Sequence, residues 1–195
     1  ILPSGTDCIR LVNSEGDGLP GIVVDRYGAG LVVELNTAGA VFLREALTHL
    51  LADRLRPDFI FENSSGPLRA EEGLAEEKGP LFGECPGTVT VSENGHRFQV
   101  DPSRGQKTGF FIDQRDNRSL AARWMPQGGR ALNLFCYTGS FSVYLAAAGA
   151  ASVTGVDSSA PALEAAAENL QLNGLNPEAH RFLRADAFEY MRGDS

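Results

Sequence analysis

The sequence predicts an α/β fold in two parts: a smaller α+β region, and after it a parallel sheet with helical crossovers. From about Asp113 the chain alternates helix, strand, helix and strand, a pattern typical of parallel strands joined by right-handed crossovers. The first hundred residues instead place short strands beside tight turns. We therefore expect two domains, residues 1–104 and residues 105–195.

The first region contains one hairpin with a strong local signal. In "TVTVSE-NG-HRFQVD" two alternating runs are joined by Asn94-Gly95, a pair that favours a type I′ turn because both central residues need positive φ. Helical spacing of leucines predicts a helix over 39–55, ended by Pro57. Four further strands are predicted at "CIRLVN", "GIVVD", "GLVVELN" and "DFIFEN".

The second region is predicted to contain three strands, each followed by a helix. The strands are "RALNLF", "ASVTGVD" and "HRFLRAD". A helix in "DQRDNRSLAARWM", with Asp113 as the candidate cap and an apolar stripe through Leu120, Ala121 and Trp124, precedes them. The helix in "SSAPALEAAAENLQLNG" carries Ser158 or Ser159 as its cap and Gly174 just past its end. "RALNLF" is apolar on both faces, as expected of a central parallel strand.

Composition limits the classes of function. The net charge of −8 and the pI near 4.9 argue against a non-specific nucleic-acid coat. A basic cluster remains, which is either a local binding patch or a solvated helix face: Arg104, Lys107, Arg115, Arg118 and Arg123. The three cysteines have no metal-like spacing, and no apolar run approaches the roughly 18 residues of a membrane span, so we expect a cytoplasmic protein without a metal site or a membrane anchor. The chain begins at Ile1, without methionine, which suggests a piece of a longer polypeptide.

Polar residues follow each strand of the predicted parallel sheet at the edge where such sheets bind ligands. The first strand enters a turn that ends at Gly139, the second strand ends at Asp157, and the third ends at Asp186. An aspartate after the second strand can accept both hydroxyls of a ribose. Either aspartate could instead cap the helix that follows it.

The sequence of the turn from Cys136 to Phe141 distinguishes between two adenosine-containing cofactors. A dinucleotide fingerprint needs G-x-G-x-x-G, so that a pyrophosphate can lie against bare backbone. Here a single glycine is flanked by large side chains, as "CYTGSF" shows. S-adenosylmethionine (SAM) carries no phosphate, so the turn favours SAM over NAD.

Three long motifs resemble one bacterial family. "GQKTGFFIDQRDNR", "LNLFCYTGSFSVYLAAAGA" and "GVDSSAPALEAAAENLQLNGL" are similar to segments of the SAM-dependent 23S ribosomal RNA methyltransferases that form 5-methylcytosine, and "RLVNSEGDGLPGIVVDRYG" resembles the start of that family's central domain. The resemblance implies a central α+β domain at 1–104, and at 105–195 the N-terminal half of a Rossmann-like class I methyltransferase domain. It also implies that the PUA domain and the C-terminal half of the catalytic domain are absent, and that ribosomal RNA is the substrate.

The resemblance also implies a set of cofactor-binding residues. Asp157 would bind the ribose hydroxyls, Asp186 the adenine amino group, and Ser158 would lie beside the adenine. Residues at the methionine end would be Asn133, Phe135, Tyr137, Thr138 and Gly139. A cover over the site would come from the "GQKTGFFIDQR" segment, which could instead be an interdomain linker: Lys107, Thr108, Phe111, Gln114 and Arg115.

The resemblance assigns no catalytic residue within this chain. Methylation of cytosine C5 needs a cysteine thiolate that adds at C6 and a base that removes the C5 proton. In the family the nucleophilic cysteine and the Asp-Pro-Pro segment lie beyond the position matching Ser195, and Cys136 is expected to pack in the core. We expect no methyl transfer by this chain alone. A non-catalytic SAM- or RNA-binding module and an NAD-dependent oxidoreductase are the alternatives.

The resemblance further predicts a covered sheet edge. In the family, later strands pair with the strand that corresponds to "RALNLF". With no lysine or proline to protect its free edge, we expect this strand to be covered by further residues of the same polypeptide or by a second copy of the chain, as a homodimer.

Overall fold

The computed structural model describes residues 4–103 and 109–193. The chain divides into two compact units. The first comprises Ile1–Asn94 and Val100–Ile112, and the second comprises Gly95–Gln99 and Asp113–Ser195.

The first unit is built on a five-stranded sheet with the order β1-β2-β3-β4-β5. Its strands are β1 (Cys8–Asn13), β2 (Ile22–Tyr27), β3 (Gly30–Leu35), β4 (Phe59–Ser64) and β5 (Glu77–Phe82). All neighbours are antiparallel except β3 and β4, which are parallel. Its helices are α1 (Ala38–Phe42), α2 (Arg44–Leu55) and α3 (Pro67–Glu71).

The helix predicted over 39–55 is interrupted once. Thr37 caps α1 by accepting a hydrogen bond from the amide of Ala40, and Leu43 separates α1 from α2. Only some of the leucines whose spacing predicted this helix face the core. Leu51 is buried against the sheet, whereas Leu50 is 54% exposed. The end is as predicted, because Arg56 leaves the helix in a left-handed conformation just before Pro57.

The hairpin has the turn that its sequence predicts. Strands β6 (Val89–Glu93) and β7 (His96–Val100) form a two-stranded sheet. Asn94 has a φ of 50° and Gly95 a φ of 85°, as a type I′ turn requires.

The second unit contains a parallel sheet with the order β10-β9-β8. Its strands are β8 (Arg130–Leu134), β9 (Ser152–Asp157) and β10 (Arg181–Arg184), and its helices are α4 (Arg115–Trp124), α5 (Ser140–Ala147), α6 (Ala160–Leu172) and α7 (Ala187–Arg192). Of the two candidate caps of α6, Ser159 accepts the hydrogen bond, from the amide of Ala162. The predicted α/β alternation is therefore confirmed.

Several local predictions are wrong. Helix α4 begins at Arg115, and Asp113 lies in a preceding 3₁₀ turn, so Asp113 is not its cap. The stripe on α4 is not buried either: Leu120 and Trp124 are exposed, while Arg118 is 1% exposed. Arg104 and Lys107 lie outside the described residues, and the described part of the basic cluster is not a uniformly solvated helix face.

Within the described residues, β8 lies at the edge of its sheet. It pairs with β9 along one side, with Leu132 opposite Thr154 and Leu134 opposite Val156, and Leu132 is 47% exposed. The covering of this edge stays a prediction. Among the described residues, no helix is long and apolar enough to cross a membrane.

Candidate cofactor-binding site

The turn after β8 has an unusual backbone. Phe135, Tyr137 and Gly139 all have positive φ, at 56°, 48° and 74°. This conformation suits glycine, and it costs a side-chain-bearing residue about 1 kcal/mol. Every second residue of the turn thus has a left-handed backbone conformation, as in a glycine-rich loop, although two of these residues carry aromatic side chains.

Helix α6 packs closely against this turn. A Cβ atom on Gly139 would lie 2.7 Å from Cβ of Ala166, so only glycine fits there without displacement. The amide of Cys136 donates to the carbonyl of Val156 (3.0 Å), and the amide of Gly139 donates to the carbonyl of Cys136 (2.9 Å). The turn is therefore held by both β9 and α6.

Asp157 at the end of β9 binds the turn directly. Its Oδ2 accepts from the amide of Tyr137 at 2.8 Å, and its Oδ1 accepts from the amide of Ser159 at 3.0 Å. An ionised carboxylate has about four acceptor positions, so both oxygens can still accept hydrogen bonds from a ligand. Asp157 therefore shapes the turn and also presents acceptors at the carboxyl edge of the sheet.

Asp186 caps helix α7. Its Oδ1 accepts hydrogen bonds from the amides of Phe188 (2.8 Å) and Glu189 (3.0 Å). This oxygen therefore caps the helix, which was the alternative to ligand binding. The residue is exposed. A capping aspartate whose second oxygen reaches solvent can also bind a ligand.

Two exposed aromatic rings stand at this edge. Phe135 is 61% exposed and Phe188 is 65% exposed, and their ring centroids lie 5.6 Å apart in an edge-to-face arrangement. Nearby, the side-chain amide of Asn133 donates to Oγ of Ser142 at 3.0 Å. Ser158 follows Asp157 and is exposed, and its place beside the adenine stays a prediction.

Two buried residues contact the turn and the start of α5: Asn169, which the sequence did not indicate, and Arg118, which was predicted only as a member of the basic cluster. The side-chain amide of Asn169 donates to the carbonyl of Thr138 at 2.9 Å. Arg118 donates to Oγ of Ser140 at 3.3 Å and lies 5.8 Å from the centroid of the Phe141 ring. The sequence shows Asn169 as an ordinary polar residue on an amphipathic helix, so no local signal marks it.

The segment predicted to cover the site is only partly described. Lys107 and Thr108 lie outside the described residues. Phe111 belongs to the first unit and is half-buried. Gln114 accepts a hydrogen bond from the side chain of Asn117 (3.0 Å), and Arg115 pairs with Asp116 at 3.5 Å. The role of this segment as a cover stays a prediction.

Cys136 has the environment of a packing residue. It is buried, and its Sγ would lie 3.0 Å from a Cβ atom built on Gly155. Burial and the nearby Asp157 raise the pKa of Cys136 to about 12. The thiol is therefore protonated near neutral pH, which makes it a poor nucleophile.

Comparison with known proteins identifies the class. A family model described as S-adenosylmethionine-dependent methyltransferase matches residues 32–192. A protein from Streptococcus mutans described as a SAM-dependent methyltransferase superimposes with a TM-score of 0.85 at 26% identity, covering 98% of this chain and 49% of that one. The structure of SMU.776, described as a methyltransferase complexed with SAH, superimposes with a TM-score of 0.86 at 26% identity, covering 98% of this chain and 48% of that one.

Curated relatives carry a more specific name. "Ribosomal RNA large subunit methyltransferase I" of Shewanella amazonensis is 45% identical over 193 residues, which is 98% of this chain and 48% of the relative. Its namesake from Aeromonas hydrophila is 44% identical over 185 residues, which is 94% of this chain and 46% of the relative. The chain thus spans about half the length of these relatives.

These matches establish a Rossmann-like class I methyltransferase fold. The chain belongs to the family of S-adenosylmethionine-dependent methyltransferases, whose cofactor is SAM.

Proposed function

We propose that the edge formed by the Cys136–Gly139 turn, Asp157 and Asp186 binds SAM. The main support is the position of Asp157, which holds the amide of Tyr137 while presenting a carboxylate at the carboxyl end of the second parallel strand. In this proposal Asp157 binds the ribose hydroxyls and Asp186 binds the adenine amino group through Oδ2.

The remaining predicted residues have roles in the same proposal. Asn133, Phe135, Tyr137, Thr138 and Gly139 surround the methionine end, and Ser158 lies beside the adenine. The side chains of Phe135 and Tyr137 stand where a dinucleotide-binding loop has glycines, which disfavours a pyrophosphate. Lys107, Thr108, Phe111, Gln114 and Arg115 are proposed to cover the bound cofactor.

Substitution of Asp157 tests the site. Asp157→Ala removes the acceptors for both hydroxyls and should weaken SAM binding by about 2 to 3 kcal/mol, as expected for hydrogen bonds to a charged group. Calorimetry gives the dissociation constant. Asp157→Asn is the comparison variant. Its one oxygen can still accept the amide of Tyr137, although its NH2 then faces the amide of Ser159, so it should lose less affinity than Asp157→Ala. A folded Asp157→Ala variant with unchanged affinity would refute the assignment.

We further propose that the polypeptide containing this chain methylates large-subunit ribosomal RNA and forms 5-methylcytosine in 23S RNA. The relatives' names and the quoted motifs support the RNA substrate. The resemblance alone supports cytosine C5 as the target. In this proposal this chain binds the cofactor, and the nucleophile and the base come from other segments of the polypeptide.

Methyl transfer tests the substrate. Large-subunit RNA lacking the modification is incubated with tritiated SAM, and the labelled nucleoside is identified by mass spectrometry. We expect 5-methylcytidine from a protein that also contains the C-terminal region, and no label from this chain alone. Another methylated nucleoside would correct the target, and incorporation by this chain alone would contradict the division of roles.

We also propose that the free edge of β8 is covered in the working protein, by more of the same polypeptide or by a second copy. The exposed Leu132 supports this. Sedimentation of the isolated chain distinguishes a dimer from a monomer of 20.8 kDa. A monomer of the isolated chain with a solvated β8 edge would contradict coverage by a second copy. A longer polypeptide in which hydrogen exchange still shows this edge to be solvated would contradict coverage by further residues.

A further inference from the structure

A buried asparagine joins strand β7 to the turn after β8. Asn169 on α6 is fully buried. Its Oδ1 accepts from the amide of Gln99 at 2.8 Å, and its Nδ2 donates to the carbonyl of Thr138 at 2.9 Å. These partners lie 70 and 31 residues away in sequence. One side chain therefore connects two segments that local sequence does not relate.

The orientation of this amide is determined by its partners. A backbone amide can only donate and a carbonyl can only accept. Oδ1 must therefore face Gln99 and Nδ2 must face Thr138, and a rotated amide would place like groups opposite each other at both contacts. The donor to Thr138 is thus fixed by the bond to β7.

This donor acts where the backbone is strained. Tyr137 has a φ of 48°, a conformation that persists only where the surroundings enforce it. Its amide is bound by Asp157, and the carbonyl of the following residue, Thr138, is bound by Asn169. The two bonds flank the strained residue.

We propose that Asn169 is a positioning residue for the cofactor site: by fixing the carbonyl of Thr138 it holds Tyr137 and the turn in the geometry that binds SAM. This inference rests on the proposed binding of SAM at this turn. Asn169 does not touch the cofactor in this proposal. It acts through Thr138 and Tyr137.

The neighbouring Asn173 provides a matched control. It lies one helical turn after Asn169 and binds the same strand, because its Oδ1 accepts from the amide of Arg97 (2.8 Å) and its Nδ2 donates to the Arg97 carbonyl (2.7 Å). Asn173→Ala therefore removes two bonds to β7 and one to the backbone carbonyl of Asn169 (2.7 Å), but none to the turn. Asn169→Ala removes one bond to β7 and the bond to the turn.

The test compares the affinity of the two variants for S-adenosylhomocysteine by calorimetry, at a temperature where circular dichroism shows both folded. We expect Asn169→Ala to bind about tenfold more weakly, the effect of losing about one hydrogen bond, and Asn173→Ala to bind within about twofold of the unaltered protein. Asn169→Asp keeps an acceptor for Gln99 but replaces the donor to Thr138, so it should resemble Asn169→Ala. Equal affinities for the Asn169 and Asn173 variants would overturn the inference.

A second measurement needs no substitution and decides the matter if Asn169→Ala does not fold. In the NMR spectrum of the unaltered chain, the side-chain amide of Asn169 should shift on addition of S-adenosylhomocysteine, and that of Asn173 should shift much less. Equal or absent shifts in a protein that binds the ligand would overturn the role of Asn169 alone. A protein that does not bind the ligand at all would instead overturn the proposed cofactor site, and the inference with it.

Discussion

The two units of the molecule hold their buried polar groups in different ways. In the first unit, two buried carboxylates are paired with arginines: Asp25 is fully buried and receives two hydrogen bonds from Arg10, at 2.8 and 2.9 Å, and Glu62 pairs with Arg44 at 2.8 Å. In the second unit, the corresponding bonds join side chains to the backbone of one turn, from Asp157 and Asn169.

This difference separates a scaffold from a site. The ion pairs of the first unit fix strands and a helix that have ordinary backbone conformations. The bonds of the second unit flank Tyr137, which has a positive φ, in a turn that also carries the exposed ring of Phe135. Strain and exposure together cost free energy, and they are expected where a surface is kept for a ligand. Substitutions in the two units should therefore affect different measurements.

Two glycines give the largest expected effects and the most direct comparison. Gly139 has a φ of 74°, and a Cβ atom on it would lie 2.7 Å from Cβ of Ala166. Gly83 in the first unit has a φ of 64°, and a Cβ atom on it would overlap the carbonyl oxygen of Asp58. Changing either residue to alanine adds one methyl group to a left-handed position without space, and should destabilise its unit by about 3 kcal/mol.

Only the change at Gly139 should abolish cofactor binding. Urea unfolding followed by hydrogen exchange assigns the loss of stability to one unit, and calorimetry with S-adenosylhomocysteine at low temperature measures binding to the folded fraction. If the two folded variants lose affinity equally, the separation of scaffold from site is wrong.

Removal of Arg10 should give the next largest effect, and only on stability. Arg10→Ala leaves the buried carboxylate of Asp25 without its two charged hydrogen bonds, which should cost about 2 kcal/mol of unfolding free energy. The affinity for S-adenosylhomocysteine should not change. Arg54→Ala is the matched control, because Arg54 pairs with Asp53 at 3.6 Å on the surface, where such pairs contribute about 0 to 1 kcal/mol. Equal losses for the two variants would contradict a specific role of the buried pair.

Local sequence was sufficient for the parts of the fold with local causes. The Asn94-Gly95 turn and the cap of α6 depend on residues within four positions of each other, and both occur as predicted. Strand β5 was not predicted, because its Gly79 and Pro80 interrupt the strand pattern. Proline is tolerated there because β5 is the edge strand of its sheet. Edge position is a property of the whole sheet, which a local pattern does not contain.

The candidate site follows the same division. The polar residues after each strand could be located because parallel strands place their carboxyl ends at one edge. The hydrogen bond from Tyr137 to Asp157 and the burial of Arg118 and Asn169 could not, because each depends on packing between helices and strands distant in sequence. The absence of the G-x-G-x-x-G pattern correctly indicated that the turn is not a dinucleotide-binding loop. It did not predict that Phe135 and Tyr137 adopt the positive φ typical of glycine.

The smallest expected effect concerns the pH dependence of the second unit. Nδ1 of His180 accepts from the amide of Val153 at 3.1 Å, so this nitrogen must be unprotonated in the fold. Burial lowers the pKa of His180 below its ordinary value. As the pH falls, His180 takes up a proton near pH 6.5 in the unfolded chain but only at a lower pH in the folded chain. The contribution of this histidine to stability is therefore complete above about pH 6.5 and is lost as the pH falls toward the folded pKa.

His180→Asn can keep an acceptor for Val153 but does not titrate, so the free energy of unfolding, measured with urea between about pH 5.5 and 7.5, should depend less on pH in this variant. His49→Asn, at an exposed position on α2, controls for the loss of one histidine. A His180→Asn profile as steep as that of the unaltered protein would show that this hydrogen bond does not couple protonation to folding.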